Sequence, residues 1–291
     1  MPLQIPFEAL IPSTTSLPNG VSLAHVRAGS GPVLVFIHGA MGDWRSWEPQ
    51  WAAFTAQYDC ISYSRRYSHP NPNTMPSPDH SALIDAEDLL GLLDALAISR
   101  AILVGSSYGG FTALAAAVRA PEKVAALVAV EPPMMRYARM SDEGRRIADD
   151  FHARCAGPAR DAFARGDDIA GAMILSGGIA NRPAGSVTAQ SMGPRLQNIL
   201  AAKRLALSSD EFPLLEPAAL AALPMPVLLM SGAQTAPVHA AIFGAVRTAM
   251  PQAQARIVEG SGHSVSRQRS DVFNTEALAF LDEVLTQPAQ G

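Results

Sequence analysis

The stretch Ala101-Ile102-Leu103-Val104-Gly105-Ser106-Ser107-Tyr108-Gly109-Gly110 decides the fold. Four consecutive apolar residues closed by a glycine read as a buried strand. From Gly109 small and apolar residues continue until Pro121, so a helix over 109–120 follows at once. A strand that turns sharply into a helix, with glycines on both sides of one serine, fits the pattern G-x-S-x-G. Five residues with three fixed positions recur by chance; the place between strand and helix gives this match its weight. It makes Ser107 the candidate nucleophile. The helix N-terminus beneath it adds positive potential where negative charge would develop on an oxygen. Ser106 competes in chemistry but occupies the wrong place in the motif.

Outward from this point, short apolar runs alternate with helical patterns, the signature of a parallel sheet with crossover helices. Strands are expected over 33–37, 59–63, 101–104, 124–130, 227–230 and 255–258, and an alternating run at 21–27 as an antiparallel strand at the sheet edge. Helices are expected over 44–57, 79–97, 109–120, 238–249 and 271–285, the second capped by Asp79 directly after Pro78. Residues 68–78 contain Pro70, Pro72, Pro76 and Pro78 and must form a loop, and 288–291 a tail. Between Pro133 and Leu223 the alternation stops. Charged helical stretches such as 142–154 replace it, interrupted by Gly177, Gly178, Pro183 and Gly185. The expected organisation is an α/β core of residues 1–132 and 224–291, with a helical lid of residues 133–223 inserted over the C-terminal edge of the sheet.

At 291 residues the chain is long for one domain and short for two, as expected of one domain carrying an insertion. With 48% hydrophobic and 16% charged residues it can build a large core, which excludes extensive disorder. A net charge of −4 and scattered basic residues exclude a polyanionic partner; Arg65, Arg66 and His69 are too few for a nucleic-acid stripe. Cys60 lies in an apolar run, where cysteine packs as a small hydrophobe, so no disulfide with Cys155 and a reducing compartment are expected. Residues 1–6 lack the charged and apolar regions of a signal peptide, and no apolar run approaches 18 residues. A cytoplasmic protein acting on a small molecule, without a membrane or nucleic-acid partner, is expected. The cysteines and histidines lack metal-ligand spacing and no phosphate loop is present, so neither metal nor cofactor is expected.

A serine hydroxyl needs a base. Of seven histidines, His263 alone follows a strand near the C-terminus, in Gly260-Ser261-Gly262-His263, where glycines let the loop bend back toward the nucleophile. His38 is read as holding the turn after its strand. His25, His80, His152 and His239 are read as surface or partly buried residues, and His69 as a pocket candidate.

His38-Gly39, the Gly105–Gly109 turn and Gly262-His263 together resemble the oxyanion loop, nucleophile elbow and catalytic-histidine loop of the α/β-hydrolase superfamily, in the same order and over nearly the whole chain. The resemblance implies an α/β-hydrolase fold and a serine–histidine–acid triad. Many members carry the acid after the strand that follows the insertion, three residues beyond a glycine. Here that place is Thr235, and no Asp or Glu occurs between Ser231 and Val258. A threonine cannot stabilise an imidazolium electrostatically. Glu131 instead closes the apolar strand directly after the nucleophile helix, on the edge where strand ends converge. Certain haloalkane dehalogenases and the zearalenone lactonases are similar in placing the acid there. Glu131 is the expected acid; a lid carboxylate such as Asp142 or Glu143, or a dyad without an acid, is the alternative.

The resemblance further implies an oxyanion hole made by the backbone amides of Ala40 and Tyr108. Met41, Trp44, Tyr108, Met134 and Met135 are pocket candidates, although core packing explains each equally well. The loop Tyr63-Ser64-Arg65-Arg66-Tyr67-Ser68-His69-Pro70 lacks the aspartate and glycines that relatives carry there. The activity implied is hydrolysis of a carboxylic ester or lactone of a small, largely apolar molecule through an acyl-enzyme. Epoxide hydrolysis and dehalogenation are disfavoured, because those relatives carry a carboxylate in place of the serine. Cofactor-free dioxygenation, C–C bond hydrolysis or acyl transfer at the same site, and non-catalytic ligand binding, are the alternatives.

Overall fold

The computed structural model describes residues 6–75 and 79–286. Pro76, Pro78 and the expected tail at 288–291 lie outside the described residues. Eight strands form one sheet: β1 (Ser13–Ser16), β2 (Ser22–Ala28), β3 (Val33–Ile37), β4 (Asp59–Tyr63), β5 (Ala101–Ser106), β6 (Val124–Val130), β7 (Val227–Gly232) and β8 (Gln254–Val258). Their order is β1-β2-β4-β3-β5-β6-β7-β8; β2 is antiparallel to β1 and β4, and every other pairing is parallel. The alternating run at the N-terminus therefore pairs on both sides and is not the edge. The edge is β1, whose Ser-Thr-Thr-Ser sequence carries no apolar signal and is mostly exposed.

The helices of the core are α1 (Glu48–Thr55), α2 (Ala82–Ala95) and α3 (Tyr108–Arg119). Ser81, not Asp79, caps α2, its hydroxyl accepting from the Leu83 amide; the Asp79 carboxylate accepts from Ser209 instead. Between β6 and β7 only helices occur among the described residues: α4 (Met135–Ala138), α5 (Asp142–Phe151), α6 (Gly157–Ala164), α7 (Asp168–Ile179), α8 (Ala189–Met192), α9 (Ile199–Leu207) and α10 (Pro217–Ala221), with short 3₁₀ and π turns. The chain then adds α11 (Pro237–Ala249), α12 (Val265–Gln268) and α13 (Ser270–Thr286).

Period-two strands send alternate residues to opposite faces. Leu103, Leu127, Ala129 and Leu229 pack with residues of α2, α3 and α11 on one face. Ile102, Val104, Val128 and Met230 pack with residues of α1 and α13 on the other. A smaller cluster around Phe163, Ala172 and Leu175 lies within the helices that follow β6. Cys60 and Cys155 are buried free thiols. No helix among the described residues is long and apolar enough to cross a membrane.

One result of this topology positions chemistry. β5, β6 and β7 are parallel neighbours, with Ser106 opposite Val130 and Val130 opposite Met230. Ser107, Glu131 and Ser231, each one residue further, thus emerge side by side at one edge of the sheet.

Candidate active site

Ser107 sits at φ 53°, ψ −119°, a conformation that a residue with a side chain adopts at a cost of about 1–3 kcal/mol. The surrounding bonds impose it. Its amide donates to the Val130 carbonyl at 2.7 Å, and its carbonyl accepts from the Gly110 and Phe111 amides that open α3. The glycines of the motif are steric requirements: a Cβ on Gly105 would meet the Gly109 carbonyl at 2.2 Å, and one on Gly109 the Ile37 carbonyl at 2.0 Å.

Glu131 also has a positive φ, 42°, and its side chain is buried. Its Oε2 accepts from His263 Nδ1 at 2.5 Å and from Thr235 Oγ1 at 2.7 Å; Oε1 accepts from Ser231 Oγ at 2.7 Å and the Gly232 amide at 2.8 Å. Burial pushes this carboxyl up, but the hydrogen bond and charge of His263, with His239 and the Gly232 amide, outweigh it and hold it at about 2. Thr235, the place where the resemblance would put an acid, instead donates to the Glu131 carboxylate. Asp142 and Glu143 pair instead with Arg145 and Arg146 on the exposed face of α5.

With Nδ1 facing a carboxylate, the proton of neutral His263 belongs on Nδ1 and Nε2 is left as an acceptor. Nε2 is buried and makes no hydrogen bond among the described residues. No hydrogen bond joins it to Ser107 Oγ, while Glu131 and His263 form a bonded pair. His239 links them spatially: it lines the same cavity as Ser107, and its ring stacks on His263 at 4.1 Å and 27°. His239 is thus not the surface or partly buried residue expected from the sequence. It is buried, and burial together with the neighbouring His263 pushes it down to about 3. One ligand atom from each of Glu131, His239 and His263 falls within 4.8 Å of the others. Stacked rings, however, direct their in-plane lone pairs side by side rather than at one point, and the Glu131–His263 contact suits a shared proton.

A cavity of about 360 Å³ lies over this edge, within the range of small-molecule sites. Ala40, Ser107 and Tyr108 line it together with Met135, Phe151, Leu175, Leu205, Phe212 and Glu211 from the helical segment. The amides of Ala40 and Tyr108 donate no hydrogen bond to another described residue. Of the remaining pocket candidates only Met135 reaches the cavity. Trp44 packs on Phe7 with ring centroids 5.2 Å apart, in the core on the α1 face. Met134 is buried in the core of the other face, and Met41 packs against the small cluster within the helical segment. His69 does not line the cavity; its amide donates to Asn198.

The loop without a decoded role proves structural. His38 accepts from the Arg65 amide through Nε2 at 2.9 Å, while its Nδ1 lies 2.7 Å from the Gly39 carbonyl. Burial and the nearby Arg65 push it down to about 3, so it stays neutral and holds the turn. The buried Arg65 guanidinium lies 3.7 Å from the centre of the Tyr108 ring, donates to the Gly39 carbonyl at 3.2 Å and pairs with Asp85 at 3.5 Å. It thereby ties the two segments that carry Ala40 and Tyr108. His80, also buried rather than superficial, bonds Asp85 at 2.8 Å. Neither arrangement has a sequence motif; the single hint was an arginine pair where relatives place glycines.

A strained serine between a parallel strand and a helix, with a buried acid at the end of the neighbouring strand bonded to a histidine in the loop after β8, has the form of a nucleophile elbow. Residues 34–276 match the model of the alpha/beta hydrolase family, and the chain belongs to that family. Among its relatives, an epoxide hydrolase of Caballeronia sordidicola is 34% identical over 145 residues, 46% of this chain and 42% of that protein. A 2-(acetamidomethylene)succinate hydrolase of Mesorhizobium japonicum is 26% identical over 269 residues, 87% of this chain and 89% of its own. The carboxylesterase CesB (YbfK) of Bacillus subtilis superposes with a TM-score of 0.67 at 22% identity, covering 94% of this chain and 92% of that one, a likeness of fold.

Proposed function

We propose that the chain is a serine hydrolase that cleaves a carboxylic ester or lactone of a small, largely apolar molecule. The observation that carries this reading is the 2.5 Å Glu131–His263 contact, which leaves Nε2 as a free acceptor on the edge that also presents Ser107. In the reaction, the Ser107–His263 hydrogen bond forms with substrate bound, since such bonds often tighten only then. His263 Nε2 takes the Ser107 proton as Oγ attacks the carbonyl carbon. The amides of Ala40 and Tyr108 hold the oxyanion. Nε2 then returns the proton to the leaving alkoxide, giving alcohol and acyl-enzyme. Water, activated by the same nitrogen, releases the acid. Glu131 holds the Nδ1–H tautomer and stabilises the imidazolium. Residues 133–223 act as the lid, placing Met135, Phe151, Leu175 and Phe212 against the substrate's apolar part.

The epoxide hydrolase relative does not alter this reading, because Ser107 stands where epoxide hydrolases of this superfamily carry a carboxylate. A panel of p-nitrophenyl esters and lactones provides the test. Turnover with labelling of Ser107 by a fluorophosphonate is expected, and Ser107→Ala should fall to the background rate. Undiminished turnover by Ser107→Ala, or oxygen uptake without ester cleavage, would overturn it.

A further inference from the structure

The cavity that holds the nucleophile changes character from floor to mouth. Every apolar residue that lines it is buried or half-buried, and the lining residues that are exposed are Arg136, Arg139, His152, Arg160, Ser209 and Asp210. Three arginines thus stand against one aspartate at the opening, in a chain whose acidic residues outnumber its basic ones by 26 to 22. Glu211, the other lining acid, is buried and bonds the Tyr108 hydroxyl, which lies 2.8 Å from Asp85 Oδ2. Burial and the nearby Asp85 raise this carboxyl to about 7, which limits the negative charge it sets against the arginines.

The three guanidinium groups are not equivalent. Arg136 pairs with Asp210 at 2.8 Å, and Arg139 with Asp149 at 2.7 Å. Of the three, Arg160 alone has no carboxylate partner among the described residues. Its Nη1 donates to the Ser208 carbonyl at 3.4 Å, at the long limit for such a bond. That contact carries the side chain from α6 across to Ser208, itself a lining residue. His152, Ala156 and Arg160 follow one another at intervals of four, so they share one helix face, and all three line the cavity. The turn that opens this face, His152–Ala156, is of the π type, a form frequent at functional sites.

We infer that Arg160 binds an anionic group of the substrate at the cavity mouth, and that the cavity takes esters or lactones whose apolar body carries a carboxylate remote from the scissile carbonyl. The inference deepens the proposed hydrolysis and rests on it for the reaction, not for the binding. A guanidinium meets a carboxylate with two parallel N–H donors. The apolar walls between the mouth and Ser107 then set the chain length that reaches both ends.

The test uses p-nitrophenyl monoesters of glutaric, adipic, pimelic and suberic acid, each beside its ω-carboxamide counterpart, which has the same shape without the charge. The monoamides and diamides of the same acids serve for calorimetric binding. In the wild type at low ionic strength, the acid of best length is expected to exceed its amide by roughly fivefold in affinity and, through KM, in kcat/KM, an advantage that shrinks as salt is added. Arg160→Met should bring both ratios to about one. Arg160→Lys should restore part of the preference, as a point charge without the fork. A purely structural role would lower acids and amides together and leave the ratios unchanged. Equal handling of acids and amides at every length by the wild type, or a preference that survives Arg160→Met, would overturn the inference. Failure of the hydrolase reading shows differently: the binding ratio holds in the wild type and falls in Arg160→Met while no ester turns over.

Discussion

Replacing Glu131 by glutamine tests the site most directly, and its outcome follows from hydrogen-bond polarity. The carboxylate accepts four bonds. Two come from rotatable hydroxyls, Ser231 and Thr235, which can reverse their direction; one comes from the Gly232 amide, which cannot. The glutamine carbonyl must therefore stay at the Oε1 position facing Gly232, and its NH2 must take the Oε2 position facing His263. An NH2 there donates to Nδ1, which moves the ring proton to Nε2, where the Ser107 proton has to arrive in the proposed reaction. The geometry survives and the base is disabled, so kcat should fall by about 10⁴, as in other triads trapped in the wrong tautomer.

Stability changes with it. The folded carboxyl is held at about 2 against an ordinary 4.5, and each unit is worth about 1.4 kcal/mol, so the pairing contributes about 3 kcal/mol at neutral pH. Because the folded value is lowered, this contribution is present above 4.5 and disappears as pH falls toward 2. Urea unfolding of wild type and Glu131→Gln at several pH values, with p-nitrophenyl ester kinetics, measures both effects. Activity within threefold of wild type would refute the tautomer argument, and a stability gap that does not shrink in acid would refute the assignment of the charge.

Three further outcomes follow from the same contacts. Thr235→Val removes one of four donors to Glu131 while leaving the Gly232 amide and His263, so kcat/KM should drop only about tenfold, consistent with one hydrogen bond to a charged group; a loss as deep as that of Glu131→Gln would contradict this ranking. Arg65→Met strips Asp85 of a buried partner and unties Gly39 from Tyr108, and should cost about 3–5 kcal/mol in urea unfolding together with a lowered kcat at unchanged KM. Glu211 titrates in the opposite sense to Glu131. Its folded value, raised to about 7, stabilises below 4.5 and loses that contribution as pH rises to 7, so wild type should lose about 3 kcal/mol relative to Glu211→Gln over that window, and parallel unfolding curves would disprove it.

The framework was legible because each element carried its own pattern. The buried strands at 33–37, 59–63 and 124–130 coincide with β3, β4 and β6; β3 and β6, parallel on both sides and covered on both faces, are apolar throughout. β1 was invisible for the complementary reason: an exposed edge strand of serines and threonines needs no apolar side. The site was legible where a motif coincides with a steric demand, as at Gly105 and Gly109. It was opaque where long-range burial decides. His239 reads as any helical residue until α11 lays it on His263. Glu211 and Asp85 meet at one phenol across 126 positions of sequence (211 minus 85), and no local pattern announces it. Trp44 and Met134 went to opposite faces of the sheet because bulk and softness describe a core as well as a pocket.

The adjacency of β6 and β7 has a broader meaning for this architecture. An imidazole between two neighbouring strand termini can be anchored from either one, and the unused terminus need only offer a hydroxyl. Thr235 Oγ1 and Glu131 Oε2 lie 2.7 Å apart, so the two places are neighbours. A carboxylate could migrate from one strand to the other through intermediates in which both sites are polar, without the ring ever losing its hold.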